Sequence, residues 1–107
     1  MQAGTGSIFK ALGDPTRRAI FEKLSLEGEQ TVHALTDFAG VSQPAVSKHL
    51  GALKFVGLVR DRRQGRETHY SVEPDGLDPL IDWLNHYSAF WRDRFDRLED
   101  LLRGMDQ

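Results

Sequence analysis

The chain has 107 residues, of which 39% are hydrophobic and 28% charged, and it contains no cysteine. This size and composition predict one globular domain, while the lack of cysteine excludes disulfides, thiolate metal sites and cysteine nucleophiles. No apolar run is long enough to span a membrane, and the first residues lack the pattern of a secretory signal. We therefore expect a cytoplasmic protein with no membrane partner.

The net charge of −2 hides an uneven distribution along the chain. Residues 31–70 hold six Lys or Arg against three Asp or Glu, whereas residues 71–107 hold four against nine. The basic middle segment is where a nucleic-acid-binding surface is expected, although the overall charge is acidic.

The first two helices are predicted from their capping residues. Ser7 is a candidate N-cap for a short helix that ends at Gly13. Asp14 can then cap a second helix with Pro15 at its first position, and this helix runs to Gly28.

A helix-turn-helix pattern follows within about residues 31–55. Thr31 can cap a third helix that ends at Gly40, and Ser42 can cap a fourth that holds Pro44 in its first turn. Two helices separated by a tight glycine-containing turn are typical of a DNA-binding motif.

The fourth helix has an apolar stripe and an opposite face of small or polar residues. The stripe consists of Val46, Leu50 and Leu53, and the opposite face carries Pro44, Ser47, Lys48 and Gly51. Gln43, Ser47 and Lys48 can read base edges, and Ser42 with the helix N-terminus can offer N–H groups to a phosphate. The alternative interpretation is a solvated helix whose polar residues only cap and solubilise it.

Residues 58–72 predict a β-hairpin, here called the wing, with a turn at Gln64-Gly65. Its tip carries Arg62, Arg63 and Arg66, which suit a phosphate backbone or a minor groove. A charged tip can also be merely solvated. Its position directly after the helix-turn-helix favours DNA binding.

The last helix is predicted from the Asp78-Pro79 signal over about residues 79–103, with Gly104 as its stop. It carries two adjoining apolar seams. One seam can close the helix against its own core, and the other can pair with the same helix of a second subunit, which predicts a homodimer. The alternative is that both seams are intramolecular core. The expected interface residues are Trp83, Tyr87, Phe90, Trp91, Arg94, Leu98 and Leu101.

Three segments together resemble the ArsR/SmtB family of winged-helix repressors: FKALGDPTRRAIF from Phe9, GVSQPAVSKHL from Gly40 and GLVRDRRQGR from Gly57. The resemblance covers about residues 8–102 and implies a homodimer that binds an inverted repeat and blocks transcription. It assigns Ser42, Gln43, Ser47, Lys48 and His49 to the DNA-reading helix and Arg62, Arg63 and Arg66 to the wing. Gly51 departs from the family pattern, where a longer, commonly basic residue is frequent.

Metal sensing is the best-known property of this family, but the ligand positions are not filled here. Thr31-Val32-His33 stands where thiolate-using relatives have Cys-x-Cys, and His86 is the single histidine of the last helix. Asp82, His86 and Asp93 share a polar face, which leaves a weak site between subunits open. We expect no cofactor and no metal, as in a Cys-poor branch with some autorepressors, and the inducer stays unknown.

The expected fold is mainly α with a small β-hairpin: one winged helix-turn-helix domain over residues 1–107 with a long C-terminal dimerisation helix. The expected function is a dimeric, sequence-specific DNA-binding regulator, most simply a repressor at an inverted-repeat operator. The alternative is an interaction module that binds another protein through its last helix without reading DNA. An enzyme is disfavoured because neither a Gly-rich phosphate loop nor a nucleophile elbow occurs.

Overall fold

The computed structural model describes residues 4–105 of the chain. Its elements are α1 (Thr5–Gly13), α2 (Pro15–Glu27), β1 (Gln30–Thr31), α3 (Val32–Ala39), α4 (Gln43–Phe55), β2 (Val59–Gln64), β3 (Glu67–Val72) and α5 (Asp78–Met105). The strands form one antiparallel sheet in the order β1-β3-β2. The predicted class, mainly helical with a small hairpin and a long last helix, is confirmed.

Three of the predicted helix caps are present. The side chains of Asp14, Thr31 and Ser42 accept hydrogen bonds from the backbone N–H groups three residues further on, at 2.9, 3.0 and 3.3 Å. Gly40 ends α3 in the left-handed conformation, with φ of 68°. Local sequence signals therefore start both helices of the helix-turn-helix and end the first of them.

The core lies where α1 to α4 meet the base of the wing. Its largest fully buried side chains are Ile8, Ile20, Leu24, Leu35, Leu50, Leu53, Leu58 and Val46. Burial of all three predicted stripe residues of α4 confirms the orientation of this helix. Its opposite face consequently points away from the core.

Two predicted boundaries in the first half and the wing are wrong. Helix α1 begins at Thr5 with Gly4 at its N-cap, so Ser7 lies inside the helix. In the wing Gln64 pairs with Glu67, so the two-residue loop is Gly65-Arg66 rather than Gln64-Gly65. Gly65 takes a φ of 63°, the positive value that the first residue of a type II′ turn requires.

Strand β1 was not predicted, because two residues are too short to show an alternating pattern. Gln30 pairs with Tyr70 and Thr31 pairs with His69. The residue that caps α3 is thus also hydrogen-bonded into the wing sheet, which joins the helix-turn-helix to the wing.

Helix α5 packs on the domain only near its start. Leu80 packs partly buried against the core, and the ring of Trp83 meets that of Phe9 edge-on at 5.3 Å. No described residue of α5 is buried, so the seam expected to close on the core does so only over the first turns. The helix also continues through Gly104, which was expected to stop it, because one glycine weakens a helix without breaking it.

The long exposed helix gives residues 4–105 an extended shape of 66 × 32 × 20 Å. None of the helices in this part of the chain combines the length and apolarity needed to cross a membrane.

Candidate nucleic-acid interface

The outer face of α4 is exposed along its first two turns. Its exposed residues include Ser42, Gln43, Pro44, Ser47, Lys48 and Gly51. The proline, serine and glycine make a narrow ridge, and a Cβ atom added at Gly51 would meet nothing within 4 Å. A narrow helix face with amide, hydroxyl and ammonium groups has the shape and the chemistry that a major groove admits.

A groove of about 290 Å³ brings α4 and the wing together. Its lining includes Gln43 and Ser47 of α4 and, from the wing, Arg66 and the carboxylate-bearing Glu67. The start of α3, including His33, also lines the groove. Side chains from separate sequence segments that were expected to contact DNA are therefore neighbours in space.

His49 is placed differently from the other residues of the DNA-reading set. It is only partly exposed, and its Nδ1 accepts a hydrogen bond of 3.3 Å from Nε of Arg17 in α2. Sequence reasoning missed Arg17, since nothing in its spacing from His49 signals a contact between these two helices.

The wing arginines divide between the two faces of the sheet, because successive strand residues point to opposite sides. Val59 is buried and Asp61 forms an ion pair of 3.0 Å with Lys54 of α4, so the face shared by Val59, Asp61 and Arg63 is turned towards α4. The hydrogen bond to Asp61 and, after it, the negative charge of Asp61 raise the pKa of Lys54. Arg62 lies on the opposite face.

Arg62 is held there by Glu29, the residue immediately before β1. One terminal nitrogen of the guanidinium contacts Glu29 Oε1, and the other donates to Gln64 Oε1 at 2.6 Å. The hydrogen bond from Arg62 lowers the pKa of the Glu29 carboxyl, and partial desolvation opposes this shift. Sequence analysis missed Glu29, because its approach to Arg62 depends on the pairing of β1 with β3.

The residues expected at a dimer interface lie on α5 and are largely exposed. Trp83 and Tyr87 are each 42% exposed, and Phe90, Trp91, Leu98 and Leu101 are between 50% and 64% exposed. The guanidinium of Arg94 lies 4.2 Å from the centre of the Phe90 ring. The second half of α5 thus presents an apolar surface that no other part of residues 4–105 covers.

Residues 4–105 contain no cluster of three or more His, Asp or Glu side chains that could hold a metal ion. His33 and His69 each lie beside carboxylates, His33 at 3.5 Å from Asp37 and His69 at 3.2 Å from Glu29. His86 packs edge-on against Tyr87, with ring centres 4.9 Å apart.

Comparisons with known proteins agree with this geometry. Residues 14–61 match the family model described as bacterial regulatory protein, arsR family. The chain is 33% identical over 81 residues to the transcriptional repressor SdpR of Bacillus subtilis, covering 76% of this chain and 89% of that one. It is 43% identical over 99 residues to the arsenical resistance operon repressor of Escherichia coli, covering 92% and 81%.

A solved structure shows the same fold. The ArsR-like transcriptional regulator from Rhodococcus sp. RHA1 is 32% identical and superposes with a TM-score of 0.69 over 90% of each chain. The matched family model includes α2, the helix-turn-helix and the first residues of the wing. This family consists of DNA-binding transcriptional regulators rather than enzymes, and the chain belongs to it, the arsR family of bacterial regulatory proteins.

Proposed function

We propose that the protein is a homodimeric repressor that binds an inverted-repeat operator. The single observation that carries this proposal is the groove that Gln43 and Ser47 of α4 line together with Arg66 of the wing. It combines groups suited to base edges with a cation suited to phosphate on one surface, as a winged helix on duplex DNA requires.

Each side chain has a role that follows from its position. Gln43 and Ser47 read base edges from the first turns of α4. Lys48, Arg63 and Arg66 contact phosphates, together with Ser42 at the helix N-terminus. Pro44 keeps the face of the helix narrow, and His49 offers the ring nitrogen that Arg17 does not occupy.

Dimerisation is supported by the apolar surface on the second half of α5. The side chains of Phe90, Trp91 and Leu98 are each at least 50% exposed and would otherwise stay in water. Pairing with the same helix of a second copy is self-complementary and closes a two-fold dimer. Two copies of α4 would then enter successive major grooves about 34 to 36 Å apart, which implies an inverted repeat.

A dimer bound at a promoter would block transcription, which is why we propose a repressor. The names of SdpR and of the arsenical resistance operon repressor also describe repressors. The described residues contain no cluster of His, Asp or Glu side chains that could hold a metal ion. We therefore propose that the protein binds its operator without a metal.

The test is fluorescence anisotropy of the purified full chain with a duplex from the region upstream of its own gene. A shuffled duplex of the same composition is the control, and salt is varied from about 50 to 300 mM. We expect salt-sensitive binding that prefers the upstream duplex by at least ~10³-fold. Equal, weak and salt-insensitive binding to both duplexes would favour a protein-binding module instead.

A further inference from the structure

Arg62 has both terminal nitrogens engaged by acceptors of its own chain. Its Nη2 contacts Glu29 Oε1, and its Nη1 donates to Gln64 Oε1 at 2.6 Å. Within residues 4–105, by contrast, neither Arg63 nor Arg66 forms an ion pair. The three arginines that look alike at the tip of the wing are therefore not equally available to a phosphate.

Glu29 is itself fixed from a second side. His69 lies directly opposite Arg62 in the register of the wing, and its Nδ1 is 3.2 Å from the same carboxylate oxygen, Glu29 Oε1. Glu29 also precedes β1, whose residues Gln30 and Thr31 are paired with the central strand. The carboxylate thus stands at the junction of the wing with the helix-turn-helix.

A phosphate that approached Arg62 would meet this carboxylate. Like charges repel, and breaking the contact with Glu29 would leave the carboxylate without its strongest partner. Arg62 also lies on the sheet face opposite to the one turned towards α4, whereas Arg66 lines the groove beside Gln43. Charge and placement both favour the intramolecular contact.

We propose that Glu29 is a positioning residue that withholds Arg62 from DNA, so that the phosphate contacts of the wing come from Arg63 and Arg66. This inference rests on the proposed DNA binding. It assigns two functions to one cationic hairpin: Arg62 braces the wing against the residue before β1, and the other two arginines face the ligand.

The test measures the dependence of duplex affinity on salt, using the upstream duplex and full-length variants. Arg62→Ala is compared with Arg63→Ala, and Glu29→Gln is made both alone and combined with Arg62→Ala. Glu73→Gln is the matched control, since it removes one negative charge just beyond β3, where Glu73 forms no ion pair within residues 4–105 and does not line the groove between α4 and the wing. Circular dichroism checks that each variant is folded.

We expect Arg62→Ala to leave the slope of log K against log salt unchanged, and Arg63→Ala to reduce it by about 0.9 for each wing. Glu29→Gln should steepen the slope by about 0.9 for each wing and tighten binding about eightfold for each wing at ~0.1 M salt. That gain should be absent when Arg62 is also alanine, and Glu73→Gln should not reproduce it.

A loss of slope in Arg62→Ala equal to that in Arg63→Ala would overturn the inference. The inference would also be overturned if Glu29→Gln changed the slope by the same amount in the presence of Arg62 and in the Arg62→Ala background. The same holds if Glu29→Gln did not change the slope at all. If Arg62→Ala fails to fold, the comparison of Glu29→Gln with Glu73→Gln decides alone, and equal slopes in these two variants reject the inference. Absence of salt-dependent binding by the unmodified protein would instead reject the proposed function.

Discussion

Nε of Arg17 donates a hydrogen bond to Nδ1 of His49 across 3.3 Å, which joins the first turn of α2 to the DNA-reading helix. The backbone N–H of the same arginine donates to Asp14 at 2.9 Å. This contact occupies Nδ1, so Nε2 is the ring nitrogen that His49 can offer to DNA. A helix outside the helix-turn-helix therefore orients one of its proposed contacts.

Lys48→Ala should weaken binding to every duplex and reduce the salt slope by about 0.9 for each subunit, because an exposed cation on α4 releases a counterion when it meets a phosphate. Anisotropy titrations at several salt concentrations measure both quantities. Arg103→Ala is the control, since Arg103 pairs with Glu99 at 3.0 Å near the far end of α5. An unchanged slope in Lys48→Ala would contradict a phosphate contact.

Gln43→Ala should change the preference among operator variants rather than the affinity for all DNA. An amide that pairs with a base edge contributes about 1–3 kcal/mol of discrimination, which disappears at that base pair when the amide is removed. Competition with single-base operator variants measures the effect. An equal loss of affinity for all of them would show that Gln43 does not read bases.

Gly51→Ala should stabilise the free protein by about 0.5–1 kcal/mol, because alanine is the better helix former and its Cβ would have open space. Gly40→Ala is the contrasting variant, since Gly40 has a φ of 68° that an L residue adopts at a cost of about 1–2 kcal/mol. Urea unfolding of both variants gives the free energies. A destabilised Gly51→Ala would mean that the outer face of α4 is constrained in the free protein.

Leu98→Asp should dissociate the proposed dimer, because a carboxylate in an apolar interface would be buried without a partner. Sedimentation velocity should show a dissociation constant raised by at least about tenfold, the equivalent of roughly 1.4 kcal/mol. Asn85→Asp changes the charge equally at a polar position of α5 and should leave the dimer intact. Dimerisation by both variants alike would point to an interface elsewhere.

The contribution of Glu29 to stability should depend on pH. Its pKa is lowered below the ordinary value of 4.5 by the hydrogen bond from Arg62, so the contribution is complete above 4.5 and is lost as pH falls through the lower, folded-state pKa. At pH 7 Glu29→Gln should therefore melt at a lower temperature than the unmodified protein. The difference should fade when thermal unfolding is repeated in acid, and a constant difference would contradict the ion pair.

Much of the local structure could be predicted from the sequence. Asp14, Thr31 and Ser42 cap the helices for which they were proposed, and the buried stripe of α4 has the residues expected from helical periodicity. Caps and amphipathic stripes depend on residues three or four positions apart, so the sequence contains the information for them. The errors at Ser7 and Gly104 concern the ends of helices, where competing signals differ by little free energy.

The candidate site was only partly predictable. Sequence and resemblance identified Gln43, Ser47 and Arg66, and the fold brings these three residues to one groove. The same reasoning treated Arg62 as equivalent to its neighbours, although it lies on the other face of the wing. Its face follows from the alternation of strand residues, but its contact with Glu29 depends on β1, a strand of two residues that carries no pattern of its own.

The sequence by itself determined which segments are helical, which face of α4 is apolar and where the cations are concentrated, since these properties arise within single elements. Only the tertiary structure decided that Arg17 bonds His49, that Glu29 engages Arg62 and that most of α5 stays uncovered. The two contacts join elements far apart in the chain, and the exposure of α5 likewise depends on where the other elements lie. Their geometry depends on how the core packs and how the strands pair.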